Sequence, residues 1–173
     1  KLHIQATTDQ LTGIFNRRVV FEALDDAMEN ANEAQDREFT TIMFDIDFFK
    51  HVNDTYGHAG GDAVLISFAQ LLRNEITSPN IVGRIGGEEF LAILYLNEDQ
   101  ALEFCKKLIK KINSNLVNFD GTDIKISTSG GVAFSSETST SADLTNKADE
   151  RLYEAKKSGR NRFQFINSEL VRD

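Results

Sequence analysis

The sequence predicts one α/β domain of the α+β kind, with a central mixed, mostly antiparallel sheet surrounded by helices. Three observations predict it. Short β-rich runs alternate with stretches of helical periodicity. The turn Arg84-Ile85-Gly86-Gly87-Glu88-Glu89-Phe90 joins two apolar runs as a β-hairpin with an acidic tip would. The length of 173 residues and the 40% hydrophobic content suit one domain with an ordinary core.

In chain order, residues 1–16 read as a connector with turn residues and a few buried anchors, leading from a regulatory region absent here, and the domain proper spans 5–168. From Arg17 the apolar positions Val19, Val20, Ala23, Leu24, Ala27, Met28 and Ala31 recur at three and four, one face of a helix ending near Glu33 with Asn16 as N-cap. Residues 39–44 form a strand running into Asp45-Ile46-Asp47. A short helix over 48–56 breaks at Gly57, and a second helix follows with Val64, Leu65, Phe68, Leu71, Leu72 and Ile76 inside. The only proline, Pro79, sits in the next loop. The hairpin strands cover 81–85 and 89–96, with glycines that allow positive φ and leave room for something to approach the backbone. Asn97 and Gln100 form a capping box for a helix burying Ala101, Phe104, Cys105, Leu108, Ile109 and Ile112. Asp120-Gly121 marks a turn before one strand over 124–134, which pairs with a short strand at 116–119. Residues 139–143 open a last helix that ends at Gly159 as C′, and 162–166 close the domain as a strand.

Composition narrows the function. A net charge of −8 argues against nucleic acid or an anionic membrane as a general partner, since phosphate backbones attract basic surfaces. The single cysteine excludes a disulfide framework and fits a reducing, cytoplasmic setting. No apolar run is long enough to span a bilayer.

Chemistry concentrates at the carboxylates. Asp45 and Asp47 end one strand, and Glu88 and Glu89 occupy the hairpin turn. If the strand lies beside the hairpin these acids meet, and two like charges at about 4 Å repel by roughly 4 kcal/mol at an effective dielectric of about 20. A divalent cation would relieve that cost, and a two-metal site suits phosphoryl transfer. Taken alone, such acids equally cap or solvate strand ends. Lys50 lies close enough in sequence to reach a phosphate held at the same edge. Lys156 and Arg160 flank the end of the last helix, where cations also complement the helix dipole. Asn53 offers an amide to a purine edge, and Asp62 a carboxylate to guanine N1–H and its amino group; a helix-surface amide and an N-terminal charge are the plainer readings. His58 could cap a helix, contact a ligand or pack.

Several spaced blocks now spell out a pattern: residues 9–18 (Asp-Gln-Leu-Thr-Gly-Ile-Phe-Asn-Arg-Arg), 44–58 from Phe44-Asp45-Ile46-Asp47 to Gly57-His58, Gly61-Asp62, 84–90, Ser129 with Gly131-Val132-Ala133, Ala148-Asp149, Leu152-Tyr153, Ala155-Lys156 and Gly159-Arg160-Asn161. Together they resemble the GGDEF-domain diguanylate cyclases, nearly end to end. The resemblance implies a fold like the palm of nucleotidyl cyclases with an active-site β-hairpin, and synthesis of cyclic di-GMP, a bacterial second messenger, from two GTP. It implies two Mg²⁺ or Mn²⁺ per active site, held by Asp45, the Ile46 carbonyl, Glu88 and Glu89. Glu88 would also be the base for the attacking 3′-hydroxyl and Lys50 would stabilise transition-state charge. Phe48, Phe49, Asn53, His58, Asp62, Lys156 and Arg160 would contact the nucleotide, with Asn53 and Asp62 reading guanine. A second copy of the domain would complete the reaction across a two-fold axis, and a missing N-terminal sensory domain would control it. The implied location is the cytoplasm, either free or tethered to the inner membrane through the missing region. The alternative is a catalytically silent GTP- or cyclic di-GMP-binding module.

Three departures stand out. Where many members carry an Arg-x-x-Asp product-inhibition site, this chain reads Thr77-Ser78-Pro79-Asn80, which predicts no inhibition there. Glu88 replaces the aspartate of the family's name. Gly130 stands where a larger apolar residue is usual and is expected to loosen its strand.

Overall fold

The computed structural model describes residues 6–166 and 170–172. The expected domain limits at 1, 5 and 168 lie outside them. The helices are α1 (Arg17–Glu33), α2 (Phe49–Glu75), α3 (Glu98–Ser114) and α4 (Ser141–Lys157). The strands are β1 (Thr40–Ile46), β2 (Ile81–Arg84), β3 (Glu89–Leu94), β4 (Leu116–Phe119), β5 (Thr122–Lys125), β6 (Thr128–Phe134), β7 (Arg162–Gln164) and β8 (Leu170–Arg172). Six of them form one sheet in the order β2-β3-β1-β6-β7-β8, antiparallel except for the β6–β7 pair.

Local chemistry fixes most boundaries. The Asn16 side chain accepts from Val19 N–H and starts α1. Asn97 and Gln100 exchange side-chain and backbone bonds to start α3. Gly57 adopts φ 74°, ψ 175°, which no helix continues through, so α2 consists of two helical halves meeting at a kink. The sheet separates two cores. One face carries Phe44, Phe90 and Phe163 against α2 and α3. The other carries Met43, Leu91 and Ala133 against α1 and α4.

The structure corrects several expectations. The run 124–134 is two strands: β5 pairs with β4 as a separate hairpin, and β6 begins at Thr128 inside the main sheet. The closing strand stops at Gln164, and β8, unannounced by any pattern in the sequence, pairs with it. Gly130 does not loosen β6, because a Cβ there would lie 2.3 Å from Phe163 Cδ1, so the ring already fills the space. Gly131 is tighter still: a Cβ would meet Ala148 O at 1.9 Å and Leu152 N at 2.4 Å, which lets α4 lie directly on the sheet.

Candidate active site

β1 is the sheet strand flanked by β3 and β6, so whatever leaves its C-terminal end faces both neighbours. Asp45 lies opposite Glu89 across β3 and opposite Ser129 across β6. Ile46 N–H donates to Glu88 O at 3.2 Å, drawing the hairpin tip onto the strand end. The expected meeting of Asp45 with the turn acids therefore occurs.

The tip is held from behind. Arg84 donates from Nε to Gly86 O (3.1 Å) and Gly87 O (3.0 Å) and from Nη2 to Gly87 O (2.8 Å). Its Nη1 reaches the Asp9 carboxylate at 3.2 Å, and Arg17 Nη1 donates to Ile85 O at 2.9 Å. Burial pushes the Asp9 carboxyl up, but hydrogen bonds from Thr12 and Arg84 outweigh it and hold it below its ordinary value. Residues 6–16 are thus more than a lead-in: Phe15 bridges to Thr8 and to Gly83, and Ile14 is buried. Neither Gly86 nor Gly87 uses positive φ, so the turn glycines serve space rather than backbone freedom, and nothing lies within 4 Å of a Cβ at Gly87. Arg84, Asp9 and Arg17 had no assigned role from sequence. The adjacency of Arg84 to the glycine pair was the available signal.

Burial raises the Asp45 carboxyl above its ordinary value, the nearby Lys156 draws it back, and Asp47 adds to the rise. Lys156 Nζ sits 2.6 Å from Asp45 Oδ2. Glu88 is raised as well, first by burial and then by the charge of Asp45. Two partly desolvated carboxylates that oppose each other's ionisation form a place where added positive charge is favourable. Among the described residues no three of His, Cys, Asp or Glu converge to hold a metal ion by themselves. That set still suits Mg²⁺, which is commonly held by one or two carboxylates completed by substrate phosphates and water.

The remaining predicted residues divide. Lys50 makes no ion pair with Asp45; its side chain is 93% exposed and its ammonium pairs loosely with Asp54 at 3.7 Å. Phe49 is buried in the larger core, so its side chain forms floor rather than ligand surface. Phe48, 62% exposed and at φ 55°, carries the Arg160 guanidinium 4.6 Å above its ring. Asn53 packs on Gly61, where a Cβ would fall 1.8 Å from Asn53 Oδ1, so the amide lies beside the start of the segment bearing Asp62. Asp62 and His58 are exposed. Asp47 is not a free acid at the strand end: it is 4% exposed, and its carboxylate accepts from Ser127 Oγ, Ser129 Oγ and Asn161 N–H. Among the described residues no helix is long and apolar enough to cross a membrane.

A family model described as "Diguanylate cyclase, GGDEF domain" matches residues 6–162. The chain is 35% identical over 170 residues to diguanylate cyclase DgcS of Shewanella oneidensis, covering 98% of this chain and 56% of that protein. It is 32% identical to diguanylate cyclase A of Treponema denticola over 95% of this chain and 45% of that one. The chain therefore spans about half the length of these curated relatives. The GGDEF domain of DgcB from Caulobacter crescentus, solved in complex with c-di-GMP, superposes with a TM-score of 0.87 at 29% identity, covering 95% of this chain and 98% of that one. Diguanylate cyclase SiaD of Pseudomonas aeruginosa, solved with its activator SiaC, gives 0.87 at 33% identity, covering 93% and 62%.

Proposed function

The chain belongs to the diguanylate cyclase GGDEF-domain family, and from that premise we propose that it condenses two GTP into cyclic di-GMP with release of two pyrophosphates. The observation that carries the proposal is the meeting of Asp45 with Glu88 at the end of β1, beside Lys156. Each of two facing copies would hold one GTP, and the 3′-hydroxyl of each nucleotide would attack the α-phosphate of the other. Asp45, Glu88, the Ile46 carbonyl and Glu89 would hold two Mg²⁺ or Mn²⁺, which when bound polarise the phosphates and offset developing charge. Glu88 would take the 3′-hydroxyl proton. Lys156 and Arg160 would bind the phosphates, and Lys50, exposed and only weakly paired, would swing in to join them.

Asn53 and Asp62 would read guanine, with His58 and the exposed ring of Phe48 at the pocket's margin. Residues 1–16 would join the domain to an N-terminal sensory region, and the site would work in the cytoplasm. Thr77-Ser78-Pro79-Asn80 supplies no charged pair for product at that loop, so feedback through it is not expected.

Incubation of the domain, fused to a dimerising tag, with GTP and Mg²⁺ followed by chromatographic separation of products tests the proposal. Cyclic di-GMP and pyrophosphate are the expected products. GTP that binds and stays intact would instead identify a silent binding module. Guanine selection has its own test in Gly61→Ala, which drives a methyl into Asn53 Oδ1. We expect a KM for GTP raised about tenfold with ATP discrimination reduced; unchanged discrimination would remove Asn53 from base reading.

A further inference from the structure

Asp47 is the one carboxylate of the β1 end that the reaction leaves without a task. Its surroundings separate it from Asp45 two residues earlier. Oδ2 accepts from Ser127 Oγ at 2.6 Å and from Asn161 N–H at 2.9 Å, and Oδ1 accepts from Ser129 Oγ at 2.6 Å. Its own N–H donates to Ser127 O at 2.9 Å. Both oxygens are committed to donors inside the protein, which leaves little for a metal.

What Asp47 grips is an unusual stretch of backbone. Gly159, Arg160 and Asn161 have φ of 131°, 61° and 50°, a run of positive φ in which only the first residue lacks a Cβ. Such a run persists only where its surroundings over-determine it. Arg160 N–H donates to Ala155 O, which ties the run to the end of α4, and Arg162 Nε donates to Arg160 O, which ties it to the start of β7. The hydrogen bond from Asn161 N–H to Asp47 ties it across to β1. Asn161 Oδ1 is buried with no donor among the described residues, a cost that a loop free to move would relieve. The residue after Asp47 is Phe48, itself left-handed at φ 55°, and its ring supports the Arg160 guanidinium. One carboxylate therefore braces both halves of the Phe48–Arg160 stack.

We propose that Asp47 is the positioning residue of the phosphate clamp, fixing the backbone of 159–161 so that Arg160 stands over Phe48 and meets the triphosphate. The inference rests on GTP as substrate. In Asp47→Ala the Asn161 N–H and the Ser127 and Ser129 hydroxyls lose their shared acceptor and the loop is released; Arg160 would then leave its station while Asp45 and Glu88 stay in place.

The test is a double-mutant cycle on binding of a non-hydrolysable GTP analogue with Mg²⁺, measured by titration calorimetry on the 173-residue chain. Mn²⁺ binding without nucleotide is followed in parallel by electron paramagnetic resonance. Asp47→Ala and Arg160→Ala should each weaken the analogue about tenfold, the double variant should be no weaker than Arg160→Ala alone, and Mn²⁺ affinity should be unchanged in Asp47→Ala. Additive losses would show that the two residues act separately and overturn the inference, and loss of Mn²⁺ binding would make Asp47 a ligand and overturn it as well. Should Asp47→Ala fail to fold, Ser127→Ala removes a single donor to the same oxygen. Its smaller loss must also vanish in the Arg160→Ala background. A wild type that does not bind the analogue overturns the GTP reading and this inference with it, whereas wild-type binding with additive losses overturns the inference alone.

Discussion

Helix α4 presents two cations to two buried carboxylates, and the pairs are built differently. Arg151 meets Glu137 beyond the end of β6 remote from Asp45, where Phe134 pairs with Thr40. Its fork takes both carboxylate oxygens and also donates to Val132 O at 2.8 Å, while Glu137 accepts from Phe134 N–H. Lys156 meets Asp45 at the other end with one flexible ammonium, a single contact at 2.6 Å, and its side chain stays 33% exposed. A planar, always-charged fork suits a permanent fastening; a point charge on a long stem suits exchange. The same helix thus locks one end of the sheet and leaves the other able to trade its cation for a ligand.

Asp45→Asn should break the exchange end most severely. We expect turnover to fall by about 10²–10³-fold, the scale of losing a group aimed at transition-state charge. Folding should not suffer. Asp45 and Glu88 both have raised carboxyls, so the stability they give the ligand-free domain is present below the ordinary carboxylate range and is lost as pH rises through their raised values. Asp45→Asn should flatten that loss, read as a melting temperature that declines less between acid and neutral pH.

Glu137→Gln should do the reverse, costing about 2–3 kcal/mol by urea denaturation with Mn²⁺ binding intact. Burial pushes the Glu137 carboxyl up, but the Arg151 and Phe134 hydrogen bonds prevail and hold it low. Its contribution is therefore present above the ordinary glutamate value and lost as pH falls through the lowered one. The gap between wild type and variant should close in that acid window. A gap independent of pH would mean that the pair is not the source of the stability.

Lys156→Met is the mildest break. On the proposed function it removes an ammonium that would share Asp45 with a metal, so Mn²⁺ affinity without nucleotide should rise severalfold, while GTP-analogue affinity should fall about as much through loss of the proposed phosphate contact. A change in only one of the two affinities would mean that the lysine acts on only one ligand.

Much of this layout is legible in the sequence because it is written in short-range chemistry. Asn16, Asn97 with Gln100, and Gly57 act within a few residues, and the structure places their boundaries accordingly. The meeting of Asp45 with the acidic turn follows from strand adjacency. What sequence does not rank is cations across distance. Lys50 is close to Asp45 along the chain yet points to solvent, whereas Lys156, 111 residues away, is the one in contact. Nor does it divide 124–134, since both sides of Ser127 carry strand-like residues and the break arises because β4 claims one part and β1 the other. Asp47 illustrates the same limit: as a residue type it resembles Asp45, and only the three donors around it show its different office.

Gly131 puts a gauge on the whole arrangement. With the α4 backbone closer than any side chain would allow, the missing methyl is a spacer gauge of zero thickness between deck and beam. Restoring it as Gly131→Ala would jack the beam off its bearing, and because Arg151 and Lys156 both hang from that beam, the fastened end and the exchanging end would lose alignment together.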